Sequence, residues 1–194
     1  MKHFSWIMLA MIVAVSAAIV ACNSGSERAT AEIQISQDSL VKRGSYLVNA
    51  IGCDDCHSPK KFGPNGPEVI EELRLSGRQA DAPIPKADTN VAKKGWMLFA
   101  SDLTAAVGPW GMSFSANITS DATGIGNWTE EQFFRAIREG KSKGLVESRP
   151  LLPPMPWQQY RTLKDEDLRA IFAFLKSTKP VQNRVPGWKK WNEL

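Results

Sequence analysis

The sequence predicts an all-α fold in which three main helices gather around one centre, joined by a long Pro- and Gly-rich insertion able to hold a small hairpin. Three observations carry that expectation. Apolar residues recur at helical spacing in three separate stretches, two of them bracketed by capping or dipole chemistry. Between residues 59 and 117 this periodicity gives way to prolines and glycines. Nothing repeats at a fixed interval, so a solenoid or propeller is not indicated.

The chain begins with Lys2 and His3 followed by an uncharged apolar run over residues 6–21. That run is shorter than the roughly 20 residues of a comfortable membrane span and ends in small residues, as an export signal does. Residues 1–21 are therefore read as a signal peptide. Ile19-Val20-Ala21-Cys22 resembles the bacterial lipobox, which makes Cys22 the expected site of lipidation and the first residue of the mature chain. Residues 22–37 are polar and mostly small, a composition that cannot bury much surface and forms a flexible tether.

The folded unit is expected over residues 38–180. From Asp38 onward Leu40, Gly44, Leu47, Val48 and Ile51 share one helical face, and the helix ends at Gly52. In the irregular middle, short strands are expected near 96–100 and 112–116, with Gly108-Pro109-Trp110-Gly111 as a turn. The insertion is read as partner-facing surface. Thr129 and Gln132 form a capping box for the second helix, Trp128 and Phe133 its hydrophobic staple, and Gly140 its stop. The third helix opens on Asp165, Glu166 and Asp167 at the positive end of its dipole. It buries Leu168, Ile171, Phe172 and Leu175 and closes with Lys176 and Lys179 before Pro180. Residues 181–194 read as a loosely packed tail.

At 194 residues, with 43% hydrophobic and 23% charged residues, the chain has the composition of one folded domain. A formal charge of +4, spread along the sequence, is too small for a nucleic-acid groove. Once Cys22 is set aside, only Cys53 and Cys56 remain, too close together to staple a fold, so a disulfide scaffold is excluded.

The chemistry lies in Cys53-Asp54-Asp55-Cys56-His57. Two thiols at this spacing can add across the two vinyl groups of one haem, with the adjacent histidine as proximal iron ligand. The rival readings are weaker. A structural zinc site needs a fourth ligand, and the mature chain has no further cysteine or histidine to supply it. A thioredoxin-like dithiol needs alternating strands and helices, which the pattern lacks. With His57 the only histidine after the signal, bis-histidine ligation is impossible. The sixth position falls to methionine, lysine, water or nothing, and the mature methionines are Met97, Met112 and Met155. Met155 is expected to fill it, because the prolines of Leu152-Pro153-Pro154-Met155-Pro156 restrict the backbone that presents the thioether. Met97 and Met112 sit in apolar runs and read as packing.

A first helix with Gly44, Tyr46 and Leu47, then Cys-x-x-Cys-His, a later methionine loop and a last helix with Phe172 and Phe174 resembles class I cytochrome c. Arg43-Gly44-Ser45-Tyr46-Leu47-Val48, the stretch from Ala116-Asn117-Ile118-Thr119 to Asn127-Trp128, and the Pro-Met-Pro loop are similar to strings in the cytochrome subunits of periplasmic alcohol and sugar-acid dehydrogenases. Those subunits usually carry several haems, whereas this chain has one attachment motif and an anchor of its own. The resemblance implies a cytochrome c-like fold around one covalent haem c and single-electron transfer, with no substrate bond made or broken. It also implies redox proteins as donor and acceptor: a dehydrogenase or quinol-oxidising complex on one side and a terminal acceptor on the other. Tyr46, Ile118, Trp128 and Leu152 are candidate pocket walls. Asp54 and Asp55 read as solvated charge, and Asp121 as a turn residue. The expected location is the periplasmic side of a bacterial membrane, held by lipid, with no nucleic-acid partner. The alternative function is a haem-based gas sensor or peroxide-reactive protein with an open sixth site.

Overall fold

The computed structural model describes residues 36–84 and 86–194. The residues read as a signal peptide, Cys22, and nearly all of those read as a tether lie outside the described residues. Helix α1, Gln37–Ala50, is capped by the Ser36 hydroxyl, which accepts from the Ser39 amide. A left-handed Gly52 then turns the chain into α2, Cys53–His57. Two short strands follow, β1 (Lys60–Gly63) and β2 (Gly66–Val69), paired antiparallel. After α3, Thr89–Lys93, come β3 (Leu98–Phe99), β4 (Ala105–Gly108) and β5 (Gly111–Phe114), an antiparallel sheet in the order β3-β4-β5. The last helices are α4 (Glu130–Arg138), α5 (Trp157–Tyr160) and α6 (Asp165–Ser177). No described helix is long and apolar enough to cross a membrane.

The three expected helices form where their signals lie. Thr129 and Gln132 make the capping box of α4, and Gly140, at φ 66°, follows its last turn. Helices α1 and α6 cross at Gly44, where only a hydrogen fits against the Ala170 carbonyl. Beside that crossing Arg43 pairs with Asp167 at 2.5 Å. Val48 of α1, Phe133 of α4, and Leu168, Ile171 and Leu175 of α6 form the main core with Leu75 and Ile125.

The fold is not all-α. Six helices stand beside two antiparallel sheets among the described residues. The physical reason is strand length: each strand has two to four residues, too few to display an alternating pattern, and β2 carries Pro67 within it. Pro109 and Trp110 do close a two-residue turn, since Gly108 faces Gly111 across it. Strand β4, Ala-Ala-Val-Gly, is buried along its whole length and so shows no alternation at all. A second, smaller core of Ala92, Val107 and Met112 lies under this sheet. Met112 is thus a packing residue, while Met97 is 43% exposed.

The carboxy-terminal segment is docked, not loose. Met112 and Lys189 exchange backbone hydrogen bonds of 2.9 and 3.0 Å. The indole N–H groups of Trp188 and Trp191 donate to the carbonyls of Trp110 (2.8 Å) and Pro109 (3.0 Å). Buried Asn183 donates to the Ser76 and Arg78 carbonyls at 2.8 and 2.9 Å and accepts from the Ala80 amide at 3.0 Å. Asn183→Ala strands these three backbone groups and is expected to lower stability by about 2–3 kcal/mol. Urea unfolding, with the slope unchanged, checks this.

Candidate functional site

Helix α2 is a single turn that places Cys53, Cys56 and His57 along one wall of a cavity of about 580 Å³, within the size range of cofactor pockets. His57 Nδ1 lies 2.7 Å from the Ala116 carbonyl oxygen. A carbonyl only accepts, so Nδ1 must carry the proton and Nε2 keeps its lone pair for a ligand bond. Burial also lowers the pKa of His57, which favours the neutral imidazole.

The loop after β2 holds this pair in place. The Gly77 amide donates to the His57 carbonyl at 2.7 Å and the Arg78 amide to the Ser115 carbonyl at 3.0 Å, so one short segment spans both partners. Gly77 has φ 72°, and a Cβ there would stand 2.5 Å from the Ala116 carbonyl. Lys60 secures the carboxy-terminal end of α2 as well, donating to the carbonyls of Asp54, Asp55 and Ser58 at 3.1, 2.7 and 2.9 Å. It also reaches the Asp102 carbonyl at 3.2 Å.

Asp54 is not the solvated charge its sequence position suggests. It accepts from Arg74 at 2.7 and 3.0 Å and from the Ser58 hydroxyl at 2.6 Å, anchoring the Cys-x-x-Cys-His turn to the next loop. Asp55 is exposed. Asp121 accepts from the amide and hydroxyl of Thr123 at 2.7 and 2.6 Å, the turn expected of it.

Both thiols are unbridged. Burial, reinforced by Asp54, pushes the Cys53 thiol up to about 12, and burial with Asp55 also raises Cys56. Such thiols are poor thiolates for metal binding or disulfide exchange. Among the described residues no three His, Cys, Asp or Glu side chains gather as a metal site.

Met155 lies on the same cavity lining as His57 and is the one methionine there among the described residues. Its loop is held at two points: the Leu151 amide donates to the Gly140 carbonyl at 2.6 Å, and the Ser113 hydroxyl of β5 donates to the Pro153 carbonyl at 2.6 Å. The insertion therefore supports the methionine loop. Its Ala105, Ala106, Ser113, Phe114 and Ala116 also build cavity wall.

Ile118, Trp128 and Leu152 line the cavity, but Tyr46 does not. Tyr46 is 70% exposed, because it lies two residues from both Gly44 and Val48 and so falls on the opposite face of α1. The sequence reading missed Tyr160, which lines the cavity and donates its hydroxyl to the Ile51 carbonyl at 3.0 Å. It also missed the Ala116 carbonyl, a backbone atom with no sequence signal.

This lining, with a free imidazole nitrogen, a thioether and two protonated thiols on an apolar wall, fits a covalently held haem. Comparison with known proteins decides the kinship. The chain is 33% identical over 146 residues to the gluconate 2-dehydrogenase cytochrome c subunit of Pantoea cypripedii, covering 74% of this chain and 24% of that protein. It is 29% identical over 160 residues to the cytochrome c subunit of a quinone alcohol dehydrogenase of Gluconobacter oxydans, covering 80% and 26%.

The chain is similar to the cytochrome c subunits of dehydrogenases.

It is also 42% identical over 150 residues to a nicotinate dehydrogenase subunit of Pseudomonas putida, covering 77% of this chain and 9% of that protein. The chain thus spans about a quarter or less of the length of these curated relatives. No family model matches the chain.

Proposed function

We propose that this protein is a monohaem cytochrome c that carries single electrons between a dehydrogenase or quinol-oxidising complex and a terminal acceptor. The observation that carries the reading is the convergence of Cys53, Cys56, His57 and Met155 on one cavity lining. Cys53 and Cys56 would hold the haem covalently, and His57 and Met155 would ligate its iron. When bound, haem c supplies a one-electron couple, and thioether ligation favours its reduced form.

The chain's own residues set the conditions for that couple. Ala116 fixes the tautomer and direction of His57. Ser113 and Gly140 accept or donate the hydrogen bonds that tie down the Met155 loop, and Ile118, Trp128, Phe133 and Leu152 give the cavity an apolar wall. An apolar lining opposes the extra positive charge of the oxidised state. Export by residues 1–21 and acylation of Cys22 would hold the carrier at the periplasmic side of a membrane, where dehydrogenase subunits are within reach. More than one acyl chain makes such attachment firm.

The test is expression of the full chain with haem-attachment machinery, followed by mass spectrometry under denaturing conditions. The parent is expected to retain the mass of one haem, and the Cys53→Ser/Cys56→Ser double variant none. A parent that folds but loses its haem on denaturation would refute the covalent reading.

A further inference from the structure

The stretch around Met155, Leu152-Pro153-Pro154-Met155-Pro156, has few means of holding itself in place. Its prolines have no N–H to donate. Among the described residues, one hydrogen bond reaches these five residues from outside the loop and α5: the Ser113 hydroxyl of β5 donates to the Pro153 carbonyl at 2.6 Å.

Ser113 is buried, and its hydroxyl is engaged on both sides. The Trp110 indole N–H donates to the serine oxygen at 3.1 Å. An indole N–H only donates, so the serine proton must point elsewhere. The Ala106 carbonyl stands 3.5 Å away and the Pro153 carbonyl 2.6 Å, and the shorter bond takes the proton. A hydroxyl that accepts one hydrogen bond donates the next more strongly.

Trp110 is backed in turn by the carboxy-terminal segment. The Trp188 indole donates to its carbonyl at 2.8 Å, and the Trp191 indole to the neighbouring Pro109 carbonyl at 3.0 Å. Two glycines admit this packing: a Cβ at Gly108 would meet the Trp110 ring, and one at Gly111 the Lys189 carbonyl oxygen. Fixed contacts thus run from Trp188 through Trp110 and Ser113 to Pro153, two residues before Met155.

We propose that Ser113 and Trp110 are positioning residues for the Met155 thioether, so that the insertion and the docked tail set how firmly sulfur stays on the iron. The assignment rests on the His57 and Met155 ligation proposed above and adds to it what holds the sixth ligand. The prolines limit the shapes open to the loop, and the Trp110–Ser113 contact selects among them. Thioether ligation favours the reduced iron, so sulfur binds the oxidised iron more weakly, and a loosened loop shows first in the oxidised state.

The test titrates the full, haem-loaded, oxidised chain with imidazole, whose nitrogen bonds to iron as the sulfur–iron bond breaks. Loss of the near-infrared sulfur-to-iron band follows the exchange. Ser113→Ala is expected to bind imidazole about tenfold more tightly than the parent, the effect of one lost hydrogen bond. Trp110→Phe and Trp188→Phe are expected to shift affinity in the same direction by smaller factors. Val107→Ala, in the small core of the same sheet and away from the cavity lining, is expected to lower the unfolding midpoint and leave imidazole affinity unchanged. Parent affinity in Ser113→Ala would overturn the proposal, and so would an equal gain in Val107→Ala, which would mark general loosening of the sheet. Parent affinity in both tryptophan variants alone would remove Trp110 and the tail from it. A parent without the sulfur band would instead overturn Met155 ligation itself, and this assignment with it.

Discussion

Gly44→Ala is expected to lower the unfolding free energy by about 3 kcal/mol, the upper part of the range for overpacked sites. The added Cβ would overlap the Ala170 carbonyl oxygen and stand 2.6 Å from its carbon and 2.7 Å from Phe174 Cβ. Two of these atoms belong to helix backbone, so no rotamer change relieves the clash. Helices α1 and α6 would have to separate, and with them the Arg43–Asp167 pair and the core contacts of Val48. Because α2 follows α1 after only two residues, displacement of α1 moves Cys53, Cys56 and His57 as well. Chemical unfolding measures the loss, and covalent haem yield on expression provides a second readout. An unfolding midpoint within error of the parent would refute the tight crossing.

Met155→Ala is expected to open the iron's sixth position. In the parent, an oxidised near-infrared band from sulfur-to-iron charge transfer should be present and carbon monoxide should not bind the reduced form. In the variant that band should vanish, the reduction potential should fall, and carbon monoxide should bind stoichiometrically. The change is large because no other described methionine lines the cavity to replace it: Met112 is packed in the second core and Met97 is exposed. The same spectra separate a carrier from a gas sensor. A parent that binds carbon monoxide readily and lacks the band would assign Met155 no ligand role and favour ligand sensing or peroxide chemistry.

These effects differ in how far they could be seen in the residues alone. The replaceability of Met155 was a question of counting: one motif, and beyond residue 21 one histidine and three methionines, of which one stands among prolines. The Gly44 crossing needed the partner helix, since glycine on an apolar stripe signals close approach without naming what approaches. Tyr46 shows the opposite failure. It lies in the same string as Gly44 and Val48, yet a 3.6-residue period sends it to solvent.

The spacing Cys-x-x-Cys-His, the three helices and their caps were determined by the sequence, because each depends on residues within about four positions of one another. The Ala116 carbonyl on His57, the sheet behind the methionine loop, the Asp54–Arg74 anchor and the docked tail were decided by the tertiary structure. These pair residues 20 to 107 positions apart, several through backbone atoms that every residue shares. Such contacts follow from which surfaces the packed helices leave open, and short buried strands with no alternation fill them.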